Sequence, residues 1–284
     1  DCLLSRGLGD VYKRQVFVIW LCICFLCCGC SAMGETGKTQ LEESGNSQPQ
    51  LIIGSDIYRP FFFQDDNGRY VGIDVELARE ACRRLGYSPI FKWIDWDNKE
   101  EVLESGVVDC LWGSFTMTGR EEEYLWAGPY LYTRQVVMVK NTGGNLNLSD
   151  LEGKKVAVQI GSKPEGYFLN PAAACKVSRV ITFSTLDEVV TALKHNYADA
   201  AAGHESALAE YMQEEPGMYR ILEESLMSVQ LGVAFVKDGD QEMADVLTEA
   251  LDEMCEDGTT EKIVEKYGLN PQALVWGGEA KGHD

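Results

Sequence analysis

The sequence predicts an α/β protein with two lobes, each holding a mostly parallel sheet flanked by helices. Short apolar strands alternate with amphipathic helices along the chain, which is typical of parallel α/β sheets. The alternation restarts after a Gly-Gly-Asn loop at 143–147, which indicates a second lobe. A chain of 284 residues, 45% of them hydrophobic, is long enough to bury two cores.

The first half of the chain carries four predicted strands and two predicted helices. The strands are 51–54, 90–94, 107–113 and 135–139, and the helices are 73–85 and 98–105. Helix 73–85 has apolar residues at helical spacing on one face, and Gly86 ends it. The loop after the first strand is broken by Pro60.

The second half repeats the alternation. Its strands are predicted at 155–159, 179–183, 198–203 and 230–236, and its helices at 185–196 and 243–254. Thr185 and Glu188 form a capping box at the start of helix 185–196. The buried stripe of that helix consists of Leu186, Val189, Val190 and Leu193.

Charge and residue usage exclude several classes of function. The chain has 25 Lys and Arg against 45 Asp and Glu, a net charge of -20. We expect no nucleic-acid partner, because phosphate binding requires clustered basic residues. The sequence has 3 histidines and shows neither a cluster of metal ligands nor a nucleophile with its base. We therefore expect no metal, no cofactor and no catalytic residue.

The 10 cysteines are distributed unevenly, and most of them lie at or before Cys30. Cys82 lies on the apolar face of a predicted helix and Cys110 in a predicted core strand. Both are expected to be small buried hydrophobic residues. Whether a disulfide joins them to Cys175 or Cys255 stays open, because sequence does not give connectivity.

The N-terminal region has the features of an export signal. Residues 1–15 show no recognisable pattern, and we expect part of that stretch to be non-native. Lys13 and Arg14 precede the apolar run 16–28. This run is shorter than a membrane span of about 20 residues but suits the apolar region of a signal peptide. We therefore predict a signal peptide over 1–29.

The junction Gly29-Cys30 resembles a bacterial lipobox, with Cys27 where leucine is usual. It predicts lipid attachment at Cys30. The following segment, 30–50, is poor in apolar residues and is predicted to be a flexible tether. A plain secretory signal or an uncleaved anchor is the alternative. At the other end of the chain, 271–284 is predicted to be a polar tail.

One stretch, 109–120, has the character of a binding turn. An apolar run that ends at Trp112 is followed by Gly113, a hydroxyl-rich turn and Arg120. Ligands in open α/β sheets lie beyond the carboxyl ends of strands. Hydroxyls, a close backbone approach and a guanidinium can together hold a carboxylate. The alternative is a polar strand-to-helix turn with an N-cap.

Three segments resemble the extracellular solute-binding proteins of family 3, the polar-amino-acid receptors of ABC importers. In chain order they are 72–77 (GIDVEL) with Ala81, Cys82 and Leu85, then 126–130 (WAGPY), then 257–263 (DGTTEKI) with 266–268 (KYG). The resemblance covers about residues 51 to 269. It implies a periplasmic-binding-protein-like fold with a two-crossing hinge, in which 51–138 and 231–270 form lobe 1 and 139–230 forms lobe 2.

The resemblance also implies a function. We expect a lipid-anchored protein on the outer face of a bacterial membrane that closes on a small solute, an amino acid or related zwitterion. It would deliver that solute to an ABC permease, as a monomer and without catalysis. One alternative is an enzyme on the same fold, dehydratase-like or lytic transglycosylase-like, that uses His204 and Glu205 as acid–base groups. Another is the ligand-sensing domain of a signalling system.

The resemblance implies aromatic contacts to the ligand. Tyr58, two residues before Pro60, matches an aromatic that packs on the ligand, and Trp96 matches a second apolar contact. Trp112 is placed to floor the pocket. The alternative for each is an ordinary core residue. Several aromatics around one cleft favour an apolar or cationic ligand portion.

The ligand carboxylate is expected to rest on Ser114, Thr116 and Arg120. Arg120 stands one position earlier than the family's arginine, and Glu121 occupies the matching place. Gly161 and Ser162 resemble an anion-binding turn at a helix start, with an ordinary Ser N-cap as the alternative.

The ligand ammonium is expected to meet an acid near the end of the 198–203 strand. His204 stands where the family has an aspartate, and Glu205 follows it. We predict that Glu205 accepts from the ammonium and that His204 is a neighbouring donor or pocket wall. The alternative is a solvated first-turn glutamate favoured by the helix dipole.

Overall fold

The computed structural model describes residues 48–142 and 147–275. The predicted signal peptide, the lipid-attachment residue Cys30 and most of the tether lie outside the described residues, as does 276–284 of the polar tail. In the described part of the chain, no helix combines the length and apolar character needed to cross a membrane.

A nine-stranded sheet forms the centre of the molecule, in the order β4-β1-β5-β11-β6-β9-β7-β8, with β10 added to β6. The strands are β1 Gln50–Ser55, β2 Phe63–Gln64, β3 Tyr70–Val71, β4 Ser88–Trp93, β5 Cys110–Leu111, β6 Leu125–Lys140, β7 Lys155–Gln159, β8 Arg179–Phe183, β9 Ala200–His204, β10 Tyr219–Ile221 and β11 Met227–Phe235. Strands β2 and β3 form a separate small hairpin.

Helices cover the sheet. They are α1 Ile73–Leu85, α2 Lys99–Glu104, α3 Lys163–Leu169, α4 Leu186–Lys194, α5 Glu205–Glu214, α6 Gln241–Glu256, α7 Thr259–Lys266 and α8 Pro271–Leu274. Short 3-10 turns occupy Trp96–Asn98 and Leu148–Leu151. The predicted polar tail thus begins with a short helix, in which Leu274 is buried.

The long strand β6 joins two halves of the sheet. Its first part pairs antiparallel with β11, and its last part pairs with β9 and β10. Gln135 is the point of change, because it faces Met227 of β11 and His204 of β9. We call the half with β1–β5, β11, α1, α2, α6 and α7 lobe 1, and the half with β7–β10 and α3–α5 lobe 2.

Both lobes contain parallel strand pairs, as the alternation of strands and helices predicted. In lobe 1, β1 pairs in parallel with β4 and β5, and in lobe 2, β7 pairs in parallel with β8 and β9. Helix α4 buries its predicted stripe. Its capping box is confirmed, because the Thr185 hydroxyl accepts from the Glu188 amide and the Glu188 carboxylate accepts from the Thr185 amide.

Two strands differ in length from the prediction. Of 107–113, only Cys110–Leu111 pairs as a strand, because the Asp109 carboxylate accepts from the Ile52 amide (2.7 Å) and Val107 is exposed. Strand β6 begins ten residues before the predicted 135–139 segment (135 − 125). Pro129, which has no N–H, falls where the register with β11 shifts near Gly232, so the ladder tolerates it.

The core predictions for two cysteines are confirmed. Cys82 and Cys110 are fully buried, and burial raises the pKa of the Cys82 thiol to about 11. Both behave as small apolar residues between α1 and the sheet.

Candidate functional site

A cavity of about 40 Å³ lies between the lobes, beyond the carboxyl ends of β1, β7 and β9. Eight of the predicted site residues line it: Tyr58, Trp96, Ser114, Thr116, Arg120, Gly161, Ser162 and His204. The other lining residues are Asp56, Gly113, Phe115, Gln135, Gln159, Lys163, Leu186, Ala202 and Gly203. We call this cavity and its walls the cleft.

The turn after β5 is built around one buried carboxylate. Asp74 Oδ2 accepts from the backbone N–H of Ser114 at 2.6 Å, and burial raises the pKa of Asp74 to about 7. Ser114 has φ 52, a left-handed conformation that few non-glycine residues adopt. Gly113 is required beside it, because a Cβ at that position would lie 1.8 Å from Ser55 Oγ.

This turn presents two hydroxyls at the cleft. Ser114 Oγ is buried and has no hydrogen-bond partner among the described residues. Thr116 Oγ1 lies 3.4 Å from His204 Nε2. A buried hydroxyl without a partner is costly, so Ser114 Oγ is suited to a ligand atom.

Arg120 reaches the cleft despite its shifted position in the sequence. Its Nη2 donates to the Gly161 carbonyl (2.8 Å) and its Nη1 to the Thr116 carbonyl (3.2 Å), and the guanidinium lies over the Phe115 ring at 5.2 Å. Burial lowers the pKa of Arg120 from its usual value. It remains a cation, because a guanidinium is not deprotonated in proteins.

Gly161 and Ser162 offer fewer unused hydrogen-bonding groups than an anion site requires. Ser162 Oγ caps α3 by accepting from the Glu165 amide, and the Gly161 N–H donates to the Glu165 carboxylate (2.6 Å). The N-cap alternative for Ser162 therefore describes its local role, although the residue also lines the cleft. Lys163 adds a cation there, with Nζ donating to the Gly119 carbonyl (2.9 Å).

Aromatic rings form two walls. The Tyr58 hydroxyl oxygen accepts from the His204 backbone N–H (3.3 Å), and the two rings meet edge to face with centroids 5.8 Å apart. Trp96 packs edge to face on Phe115 at 5.0 Å. Both predicted aromatics are thus largely buried and also face the cleft.

His204 is the last residue of β9 and is buried. Burial, together with the nearby Arg120 guanidinium, lowers the pKa of His204 to about 3. The imidazole is therefore neutral at physiological pH. Gln135 Nε2 lies 2.9 Å from its Nε2 and 3.2 Å from its Nδ1, so an amide holds the ring in place.

Two predicted residues lie elsewhere. Trp112 is fully buried below the turn and packs against Tyr130 with ring centroids 5.8 Å apart, so it does not floor the cavity. Glu205 begins α5 and points to the opposite side of β9, where both of its oxygens bind the Arg134 guanidinium. This placement does not fit a direct contact between Glu205 and a ligand in the cleft.

Sequence reasoning missed Asp56 and Gln159. Asp56 lies in the loop after β1 and is buried, and its Oδ2 accepts from Gln159 Nε2 at 2.6 Å. Burial raises the pKa of Asp56 to about 6. The position of Asp56 could have indicated it as a candidate, because it follows the carboxyl end of a parallel strand, where ligands bind.

Comparison with known proteins identifies the family. The bacterial extracellular solute-binding proteins, family 3, match residues 51–270. The histidine-binding periplasmic protein of Salmonella typhimurium is 30% identical over 77% of this chain and 88% of that protein. The arginine-binding extracellular protein of Bacillus subtilis is 26% identical over 87% of this chain and 97% of its own length.

Solved structures show the same fold. An ancestral arginine-binding protein bound to arginine has a TM-score of 0.71 and 32% identity, covering 78% of this chain and 98% of that one. An ancestral amino-acid-binding protein described as a precursor of cyclohexadienyl dehydratase has a TM-score of 0.68 and 28% identity, covering 77% and 95%. With a family match over 51–270, two lobes, a crossing strand and a cleft between the lobes, the chain belongs to the bacterial extracellular solute-binding proteins, family 3.

Proposed function

We propose that this protein binds an amino acid or a closely related zwitterion in the cleft. One observation carries the proposal: the cleft is lined by a cation, by two hydroxyls and by a buried carboxyl group. Arg120 and Ser114 suit a ligand carboxylate, and Asp56 suits a cationic or hydrogen-bond-donating end. The relatives named for histidine and arginine support a ligand with such an end.

The aromatic walls support the same ligand class. Tyr58 and Trp96 line the same cleft, where an aliphatic or planar ligand segment would pack against the rings. Lys99 lies near Asp56, since its charge lowers the pKa of that carboxyl against the larger effect of burial. Ligand cations would therefore compete with one resident cation at the Asp56 end.

Lobe closure is part of the proposed mechanism. Contacts already join the lobes across the cleft: Arg120 to the Gly161 carbonyl, Lys163 to the Gly119 carbonyl, and Gln159 to Asp56. A ligand bridging both lobes would add to these contacts, and hinge closure about two crossing strands is a known receptor motion. We propose that the closed form is the one delivered to an ABC permease.

The site of action is proposed from the sequence. A signal peptide over 1–29, lipid on Cys30 and the tether 30–50 would hold a monomeric receptor at the outer face of the bacterial membrane. Mass spectrometry of membrane-extracted protein is expected to find a diacylglyceryl group on an N-terminal Cys30. A mature N-terminus elsewhere, without lipid, would contradict the anchor.

The function is tested by a thermal-shift panel of amino acids, amines and carboxylic acids, followed by calorimetry on the ligands that raise the melting temperature. We expect stoichiometric binding of a small zwitterion with no product detectable by mass spectrometry. Turnover of a bound compound would favour the enzyme alternative. That alternative relied on His204 and Glu205 together, which lie on opposite sides of β9.

A further inference from the structure

The His204 end of the cleft has no carboxylate to balance a ligand ammonium. Among the described residues that line the cleft, Asp56 is the single acid, and Gln159 already donates to it. Glu205 is bound to Arg134 on the other side of β9. A ligand ammonium beside His204 would therefore lie close to the Arg120 guanidinium. The nearby Asp74 carboxyl group binds the Ser114 N–H and does not line the cleft, so it would not contact the ammonium, and an unbalanced buried charge is costly.

The imidazole itself offers little to an ammonium. A neutral imidazole has one accepting nitrogen and one N–H donor. The Gln135 amide nitrogen lies within hydrogen-bond distance of both ring nitrogens, and Thr116 Oγ1 lies 3.4 Å from Nε2. Both ring nitrogens thus already have partners within the protein.

Two uncharged groups at this end remain unsatisfied. Ser114 Oγ and Gln135 Oε1 are buried without a hydrogen-bond partner in the described part of the chain, and both residues line the cleft. One can donate and the other can accept. A ligand hydroxyl matches this pair, because it accepts one hydrogen bond, donates another and carries no charge.

We propose that the cleft selects a 2-hydroxy acid over the amino acid of the same carbon skeleton. The ligand carboxylate would contact Arg120, its 2-hydroxyl would bridge Ser114 Oγ and Gln135 Oε1, and a cationic distal end would reach Asp56. The ligand is then a zwitterion whose positive charge is remote from the α-carbon. This inference rests on the proposed function, which assigns the ligand carboxylate to Arg120.

The test is calorimetric titration of the intact receptor with matched pairs. The pairs are L-arginine with its 2-hydroxy analogue argininic acid, and L-histidine with imidazolelactic acid, each with the same configuration at the α-carbon. We expect the hydroxy acid to bind at least tenfold more tightly than the amino acid in at least one pair. His204→Asp places a carboxylate at this end and is expected to reverse that preference by at least tenfold.

Two further variants distinguish the effect of a charge at position 204 from an effect on folding. His204→Asn keeps the position uncharged and should retain the preference for the hydroxy acid, and His195→Asp makes the same substitution at an exposed position and should change nothing. If the unaltered receptor binds an amino acid tenfold more tightly than its hydroxy analogue, this inference is overturned and the proposed function stands. If it binds no α-carboxylate of either kind, both are overturned.

Discussion

Asp56 and Gln159 join the two lobes through a hydrogen bond of 2.6 Å between the Asp56 carboxylate and the Gln159 side-chain amide. Asp56 follows β1 in lobe 1 and Gln159 ends β7 in lobe 2, and both line the cleft. The contact therefore places a buried acid at the proposed ligand site and at the lobe interface. Its protonation should influence both stability and binding.

Asp56→Asn should remove a pH-dependent loss of stability. The pKa of Asp56 is raised by burial to about 6, above an unfolded value of about 3.9, so the folded state holds the proton more tightly. This contribution to stability is full below about pH 4 and is lost as pH rises through about 6. The shift of about two units corresponds to about 3 kcal/mol.

Urea unfolding of both proteins at pH 4 and pH 7 measures this effect. The free energy of unfolding of the Asn variant, relative to the parent, should rise by about 2–3 kcal/mol between the two pH values. Asp238→Asn, at an exposed position, is the control and should show no such change. A relative stability that stays flat across this range would mean that Asp56 is solvated or already neutral at pH 7.

Gly113→Ala should destabilise the protein by overpacking. The added Cβ would lie 1.8 Å from Ser55 Oγ and 2.7 Å from Ser55 Cβ, and such clashes cost about 1–3 kcal/mol. Ser55→Gly removes both atoms. In the Ser55→Gly background, Gly113→Ala should therefore cost much less stability than it costs in the parent protein. A double-mutant cycle by chemical unfolding measures the coupling; additive effects would show that the clash is absent.

Asp74→Ala should destabilise the turn that carries Ser114. It leaves the buried N–H of Ser114 without its acceptor, which costs about 1–3 kcal/mol, and it frees the left-handed turn to relax. Asp74→Asn keeps an acceptor oxygen and is the matched control. We expect the Ala variant to lose both stability and ligand affinity, measured by unfolding and calorimetry, and the Asn variant to lose markedly less. Equal losses would show that this hydrogen bond does not hold the turn.

Glu205→Gln should leave ligand affinity almost unchanged, because both Glu205 oxygens bind Arg134 outside the cleft. The two side chains are 37% and 44% exposed, so the lost ion pair should cost no more than about 1 kcal/mol of stability. Calorimetry with the best ligand of the thermal-shift panel measures the affinity. A loss above tenfold, specific to ligands with an α-ammonium, would restore Glu205 as the amine acceptor.

Many of the cleft residues could be predicted from the sequence because they lie beside recognisable secondary-structure elements. Ser114 and Thr116 follow an apolar strand, and His204 ends another, so strand ends indicated the site. Arg120 stands one position earlier in the sequence than the family's arginine. Gly119 has φ 70, a conformation that glycine adopts readily, and the Arg120 guanidinium reaches the cleft from this turn.

Local chain geometry separates the predicted residues that lie outside the cleft from those that line it. Ser114, two residues after Trp112, takes a left-handed conformation with φ 52, and the Trp112 ring is buried beneath this turn. His204 and Glu205 straddle the junction between β9 and α5, where the chain changes direction. Asp56 and Gln159 come together only when the loop after β1 meets the end of β7, which periodicity along one chain does not reveal.

The most direct test of the central claim is calorimetric titration of Arg120→Ala with the tightest ligand of the panel, beside Arg83→Ala, which removes an exposed arginine of α1. Loss of a charged contact in a desolvated cleft costs about 2–5 kcal/mol, so affinity should fall at least about thirtyfold in the first variant and stay unchanged in the second. A loss below tenfold, with the fold intact by circular dichroism, would contradict the assignment of the ligand carboxylate to Arg120.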